Sequence, residues 1–244
     1  MVPVREFFDR PVLDVARDLL GAHLTVHSPE GAVTVRLTEV EAYDGAADPG
    51  SHAYRGRTAR NATMFGGPGH LYVYRHLGLH HCANLVCGPD GKPSGVLLRA
   101  AEVIDGVDLA RARRATSGVT RTDSDLARGP ARLTVALGIT RADDGADVAG
   151  EAGRILVRPR PAASSDQGPV SGAVIEAGAV PDAGLGRPIV TGPRVGVSGD
   201  GGRADLFPWR FWLDGDPTVS AYRKATPRRR ADSKGAPVSP LPAP

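Results

Sequence analysis

Two carboxylates set two residues apart, Glu39 and Glu41, interrupt the stretch AVTVRLTEVEAY at residues 32–43. Strand side chains alternate between faces. Val33, Val35 and Leu37 therefore share a face, and the same parity runs on through Glu39, Glu41 and Tyr43. If the alternation holds, an apolar core face ends in two acids. A buried, unpaired carboxylate is raised in pKa and can act as a general base near neutral pH. The plainer alternative is a strand that ends or bulges near Glu39 and leaves both acids in water. Asn84 poses a similar conflict, since it lies between Cys82 and Val86 on one face of CANLVC. A buried Asn must be hydrogen-bonded, either as a structural tie or as a reader of a ligand. Arg99 interrupts the apolar run GVLLRAAEV. Inside a strand it demands a carboxylate or a phosphate, and at a strand end it is an ordinary surface group. Four of the five tyrosines, Tyr43, Tyr54, Tyr72 and Tyr74, fall among histidines and arginines. Aromatics interleaved with cations suit stacking on nucleobases, with strand packing as the plain alternative.

Other chemistries find less support. His80, His81, Cys82 and Cys87 are close together but match no common zinc spacing, and no second Cys or His pair follows. GGPGHLY at 66–72 lacks the Lys-Ser/Thr of a phosphate loop and is not a dinucleotide fingerprint. No Gly-x-Ser-x-Gly elbow occurs.

The elements that must position these residues read as follows. Val12, Val15, Ala16, Leu19 and Leu20 have helical spacing after a potential Asp9 cap, and Gly21 stops the helix. AHLTVH and AVTVRLTEVEAY flank the turn SPEG and form a hairpin. Residues 44–70 make a long loop, a length that often carries function. LYVY at 71–74 is a strand, and two more at 79–87 and 95–103 surround PDGKPS. Helices are expected over 108–114 and 130–137, the latter opened by Gly129-Pro130 and closed by Gly138. RILVRP, RVGVS and WRFWLDG read as late strands. The Pro- and Gly-rich stretch 159–193 reads as a loop insertion, and 223–244 as a basic, Pro-rich disordered tail. Strands dominate, so the expected fold is α+β around one curved antiparallel sheet, within a single domain at 1–222.

The 244 residues, 41% of them hydrophobic, suffice for a core without disulfides. The formal net charge of +3 is unevenly spread. Residues 55–132 hold 12 basic and 6 acidic groups, residues 1–54 hold 4 and 9, and the tail holds 6 and 1. The basic character thus belongs to a tail and to one block around the tyrosines. MVPVREFFDRP has charges where a signal peptide is apolar, and no run approaches a membrane span. With only two cysteines, a cytoplasmic protein is the expectation.

TEVEAYDG, GSHAYRGRTARNATMFGGPGHLYVYRHLGLHHCANLV and GVLLRAAEV, in this order, resemble the alkyladenine (methylpurine) type of 3-methyladenine DNA glycosylase. VARDLLG before them, and LARGPARLTVALGI, RVGVS and RFWLDGDPTVS after them, extend the likeness over roughly residues 5–220. The resemblance implies an open-barrel-like curved sheet with outer helices and a protruding DNA-binding β-hairpin. It implies a monofunctional enzyme that flips a damaged purine out of duplex DNA, hydrolyses its N-glycosidic bond and leaves an abasic site. Neither metal nor organic cofactor is implied. Glu41 would activate water and Arg99 would help position it. Tyr43, His52 and Tyr74 would wall the pocket, and Asn84 would face the minor-groove edge of the base. Leu77 stands where mammalian relatives carry a tyrosine that fills the gap left by the flipped nucleotide. The expected partner is duplex DNA with damaged purines, bound by a monomer associated with the nucleoid in a bacterium. A non-catalytic DNA-binding module on the same fold and an unrelated sugar or nucleotide hydrolase are the alternatives.

Overall fold

The computed structural model describes residues 4–160, 179–180 and 185–225. Two short helices, α1 (Val4–Phe8) and α2 (Val12–Asp18), lead into the hairpin β1 (His23–Ser28) and β2 (Gly31–Tyr43). β3 (Leu71–His76), β4 (His80–Cys87) and β5 (Ser94–Asp105) follow the long loop. Then come α3 (Val107–Ala115), α4 (Pro130–Leu137), β6 (Ile155–Arg158), β7 (Ala179–Val180), β8 (Ile189–Gly192) and β9 (Arg210–Leu213). All pairings are antiparallel. The main path runs β3-β4-β5-β2-β9-β8-β7, with β1 on β2 and β6 on β1. The result is a single α+β domain built on one open sheet.

Local chemistry accounts for several boundaries. Pro130 occupies the first turn of α4, where its missing N–H removes nothing, and Gly138 ends the helix at φ +69°. The first helical turn differs from expectation: Asp9 follows the separate helix α1, and the N-cap of α2 is Pro11, with no side-chain cap. RVGVS forms no strand, because β8 ends at Gly192 and Pro193 supplies no N–H for a ladder. The predicted insertion at 159–193 and tail at 223–244 lie largely outside the described residues. No helix among the described residues is long and apolar enough to cross a membrane.

The main core lies on one face of the sheet, against α2, α3 and α4. It takes Leu71 and Val73 from β3, Ala83, Leu85 and Cys87 from β4, and Val96 and Leu98 from β5. On β2 the core residues are Val33, Val35 and Leu37, and then Val40 and Ala42. The spacing between Leu37 and Val40 is odd, so the strand turns over. β5 does the same, because Leu37 pairs with Ala101 and Val40 with Leu98. The register is irregular between these pairs, at the place where β2 leaves β1 and takes β9 as its neighbour. A bulge there re-aims the side chains that follow.

This corrects the parity expectation for Glu39, Glu41 and Tyr43. They do not continue the apolar core face. They lie on the opposite face, yet both acids are fully buried rather than in water.

Candidate active site

The opposite face collects every second residue of five strands. Cross-strand register sets Tyr72 beside Asn84, Asn84 beside Leu97, Leu97 beside Glu41, and Glu41 beside Arg210. Strand alternation puts Tyr74, Cys82, Arg99 and Tyr43 on the same side. Here the sheet is covered by the long loop and the segments after β8, and its polar residues Glu41, Tyr72, Asn84 and Arg99 are buried beneath them.

Glu41 accepts two hydrogen bonds and makes one ion pair. Its Oε1 takes the Val195 N–H at 2.7 Å and lies 3.3 Å from Arg99 Nη1, and its Oε2 takes the Tyr43 hydroxyl at 2.8 Å. Arg99 turns its Nε to Glu39 Oε1 at 2.9 Å. Glu39 also accepts Arg210 Nε at 2.7 Å and the Ser220 amide at 2.7 Å. Two acids and two arginines thus alternate in a buried chain, and Arg99 touches both acids. Its pKa is raised, burial opposing the shift but being outweighed by Glu41 and Glu39. The guanidinium therefore stays charged. Of the two open alternatives for Arg99, carboxylate pairing is the one realised.

Tyr43 is held from the far side by Arg194, whose guanidinium lies 4.5 Å from the ring centroid. Arg194 is itself buried and forks onto Asp48 at 2.5 and 2.6 Å. This pair fastens the start of the long loop. Asn61 fastens its middle, donating to the carbonyls of His52 and Gly56 and accepting from Thr58. Burial and the Glu41 charge push the Tyr43 phenol up, so its proton stays and donates to Glu41.

The loop brings His52 against the tyrosines. Its ring meets Tyr74 edge-on at 4.5 Å between centroids, and its Nδ1 lies 3.3 Å from the Tyr72 hydroxyl. Tyr72 and Tyr74 stack at 5.6 Å. Burial pushes the Tyr72 phenol up to about 12 and the Tyr74 phenol higher, so both are neutral hydrogen-bonding groups. Desolvation, followed by the charges of Arg60 and His76, lowers the His52 pKa below 6.5. Asn84 donates through Nδ2 to the Tyr72 carbonyl at 3.3 Å, a tie between β4 and β3 that occupies one of its amide's hydrogen-bonding positions.

The β3–β4 hairpin extends beyond this cluster. Its tip is Leu77-Gly78-Leu79, with Leu77 76% and Leu79 70% exposed. Leu77 has φ +49°, the only positive value outside glycine among the described residues. With Gly78 at φ +71° and the Leu79 N–H donating to the His76 carbonyl at 3.0 Å, it is one of the two left-handed central residues of the tight hairpin turn. An open groove at the foot of the hairpin is lined by His52, Tyr54, Arg55, His76, Leu77 and Gly196.

The structure thus unites Glu41, Arg99, Tyr43, His52, Tyr74 and Asn84, with Leu77 at the mouth. The two cysteines point to opposite faces, Cys82 toward the site and Cys87 into the core, and both are free. The basic block divides as well, because Arg111, Arg113 and Arg114 lie on α3, with Arg111 paired to Asp108 and Asp123. Arg194, Asp48, Arg210, Ser220 and the Val195 amide were not anticipated. The signal that marks Arg99, an arginine within apolar residues, is present at Arg194 in PRVGV and at Arg210 in WRFWL.

A family model described as methylpurine-DNA glycosylase matches residues 6–217. A relative from Streptomyces avermitilis, named "Putative 3-methyladenine DNA glycosylase", is 54% identical over 93% of this chain and 94% of its own. Similarly named proteins are 49% identical in Leifsonia xyli (91% of this chain, 93% of theirs) and 42% in Methanocella arvoryzae (88% and 94%).

Two outcomes follow from the geometry. Glu39→Gln leaves Arg99 and Arg210 without their shared charge, and breaking a buried pair costs about 3–5 kcal/mol; urea unfolding should show a lower midpoint, and an unshifted midpoint would contradict the assignment. An NMR titration should place the His52 midpoint below 6.5. In Arg60→Gln it should rise, because a nearby positive charge that disfavours imidazolium is gone. The corresponding stability is present above the unfolded His pKa and is lost as pH falls through the folded one.

Proposed function

The chain belongs to the methylpurine-DNA glycosylase family, hydrolases of N-glycosyl bonds in DNA, and from that premise we propose how its own residues do the work. A damaged purine is turned out of the duplex, because its glycosidic carbon is inaccessible while stacked. The base enters between Tyr43, Tyr74 and His52. Alkylation at N3 or N7 makes the purine cationic, and a cation over an aromatic face gains ~0.5–2 kcal/mol. It also makes the purine a better leaving group, so the chemical step amplifies a modest preference in binding. Asn84 faces the minor-groove edge of the base and obstructs the exocyclic amine of normal guanine. Leu77 fills the space vacated in the stack, as apolar wedges do elsewhere.

Glu41 then takes a proton from water as the water oxygen bonds to the anomeric carbon. The bond from that carbon to the purine nitrogen breaks, and its electron pair leaves with the base. Arg99 positions the water and holds the Glu41 carboxylate. The reaction is monofunctional: position 41 carries a carboxylate and not a lysine, so the same group offers no amine for Schiff-base chemistry. One chain supplies every residue named, which suits action as a monomer.

The observation that carries this proposal is Glu41, buried and held by Arg99, Tyr43 and Val195 beside an aromatic cluster that opens at a protruding hairpin. The test is a duplex with one hypoxanthine or ethenoadenine, followed by alkali. Glu41→Gln should lower single-turnover excision by about 100-fold or more, as loss of a general base does, with duplex binding retained. Cleavage by the variant at the parental rate would refute the role. For the wedge, Leu77→Tyr should shift a fluorescent lesion toward the flipped state, since tyrosine offers more stacking area than leucine. An unchanged flipping equilibrium would argue against Leu77 as the space-filling group.

A further inference from the structure

The groove at the foot of the hairpin continues onto the last described residues of the chain, which the mechanism above does not use. Arg223 and Lys224 line it opposite Arg55 and His76. Arg55, Arg223 and Lys224 are exposed, and none makes an ion pair with a described carboxylate. Several exposed arginines elsewhere are instead paired, such as Arg5 with Asp147, Arg111 with Asp123 and Arg203 with Asp205. Uncompensated cations therefore gather at the mouth. Beside them stand the exposed Leu77 and the half-exposed Tyr54. Cations flanking an apolar tip fit a polymer that offers stacked rings and a charge at every repeat, rather than a free anion.

The backbone links this cluster to the site. The Gly196 N–H donates to the Arg223 carbonyl at 2.9 Å. The preceding amide, that of Val195, donates to Glu41 Oε1 at 2.7 Å. Consecutive amides of one loop thus hold the reacting carboxylate on one side and the C-terminal segment on the other.

We propose that Arg223 and Lys224, with Arg55 across the groove, grip phosphates of the bound duplex, and that the Gly196–Arg223 hydrogen bond ties this grip to the loop that holds Glu41. The working unit then extends past 222 to include at least Arg223 and Lys224. The tie matters to catalysis only under the glycosylase mechanism; the grip requires only duplex DNA. Phosphate contacts release counterions, so the grip must appear in the salt dependence of binding.

The grip is read in the full chain by anisotropy with an undamaged duplex across a salt series. The double variant R223Q/K224Q should flatten the slope of log K against log salt by about 1.8, at ~0.9 for each phosphate no longer neutralised. An unchanged slope overturns the grip, even if excision is normal. A flattened slope in a protein that excises no damaged purine supports the grip and refutes the glycosylase mechanism. The tie is read with chains ending after Ala225 and after Tyr222, in single-turnover excision at saturating enzyme. The longer chain should keep the parental rate, and the shorter should lose about tenfold or more, because a displaced reacting group is costly. Equal rates overturn the tie. Hydrogen exchange reads it without truncation: the Gly196 amide should be protected in the full chain, and rapid exchange would overturn the tie even if the shorter chain fails to fold.

Discussion

Two carboxylates removed from water must find donors that replace it. This constraint organises the molecule. Glu39 and Glu41 stand on one face of β2, and Arg99 from β5 meets both. Arg210 from β9 and Ser220 beyond it complete Glu39, while Val195 beyond β8 completes Glu41. Satisfying the pair therefore requires three segments far apart in the chain to converge. The same requirement explains why β9, rather than β1, lies beside β2 at the acids.

The two acids end in different situations. Glu39 meets two arginines, a hydroxyl and an amide, so its interactions are all structural. It fixes Arg99 through Nε and leaves the Nη1 end for Glu41. Glu41 has the Tyr43 hydroxyl, one amide and one edge of Arg99, and it adjoins an aromatic cluster covered by loops. One acid is saturated by structural partners, and the other is left beside the aromatic cluster of Tyr43, Tyr72 and Tyr74.

The loops that cover this face are themselves held by buried polar ties, not by apolar packing alone. Asp48 and Arg194 fasten the beginning of the long loop, and Asn61 gathers its middle. Arg194 also lies over the Tyr43 ring, so the residue that anchors the loop also holds the tyrosine that donates to Glu41. Helices cover the core face and loops cover the polar face.

Much of this was legible in the chain itself. The hairpin around SPEG, the strand at LYVY and the helix opened by Gly129-Pro130 follow from alternation and capping, which act over a few residues. The residue types of the site were legible too, because Glu41, Asn84 and Arg99 are polar groups inside apolar runs, where burial would oblige each to find a partner. Their side of the sheet was not legible. Strand parity carried past Leu37 assigns Glu39 and Glu41 to the apolar core, and the turnover near Thr38 reverses that assignment. The turnover arises where β2 exchanges β1 for β9, a neighbour from near the other end of the described chain. Arg194 and Arg210 carried the same local mark as Arg99, yet their carboxylate partners are set by contacts of similar range. Short-range periodicity decided which elements form and which residues needed partners. Only the completed sheet decided which partners they found, because a buried charge is satisfied by whatever the whole fold brings within hydrogen-bonding distance.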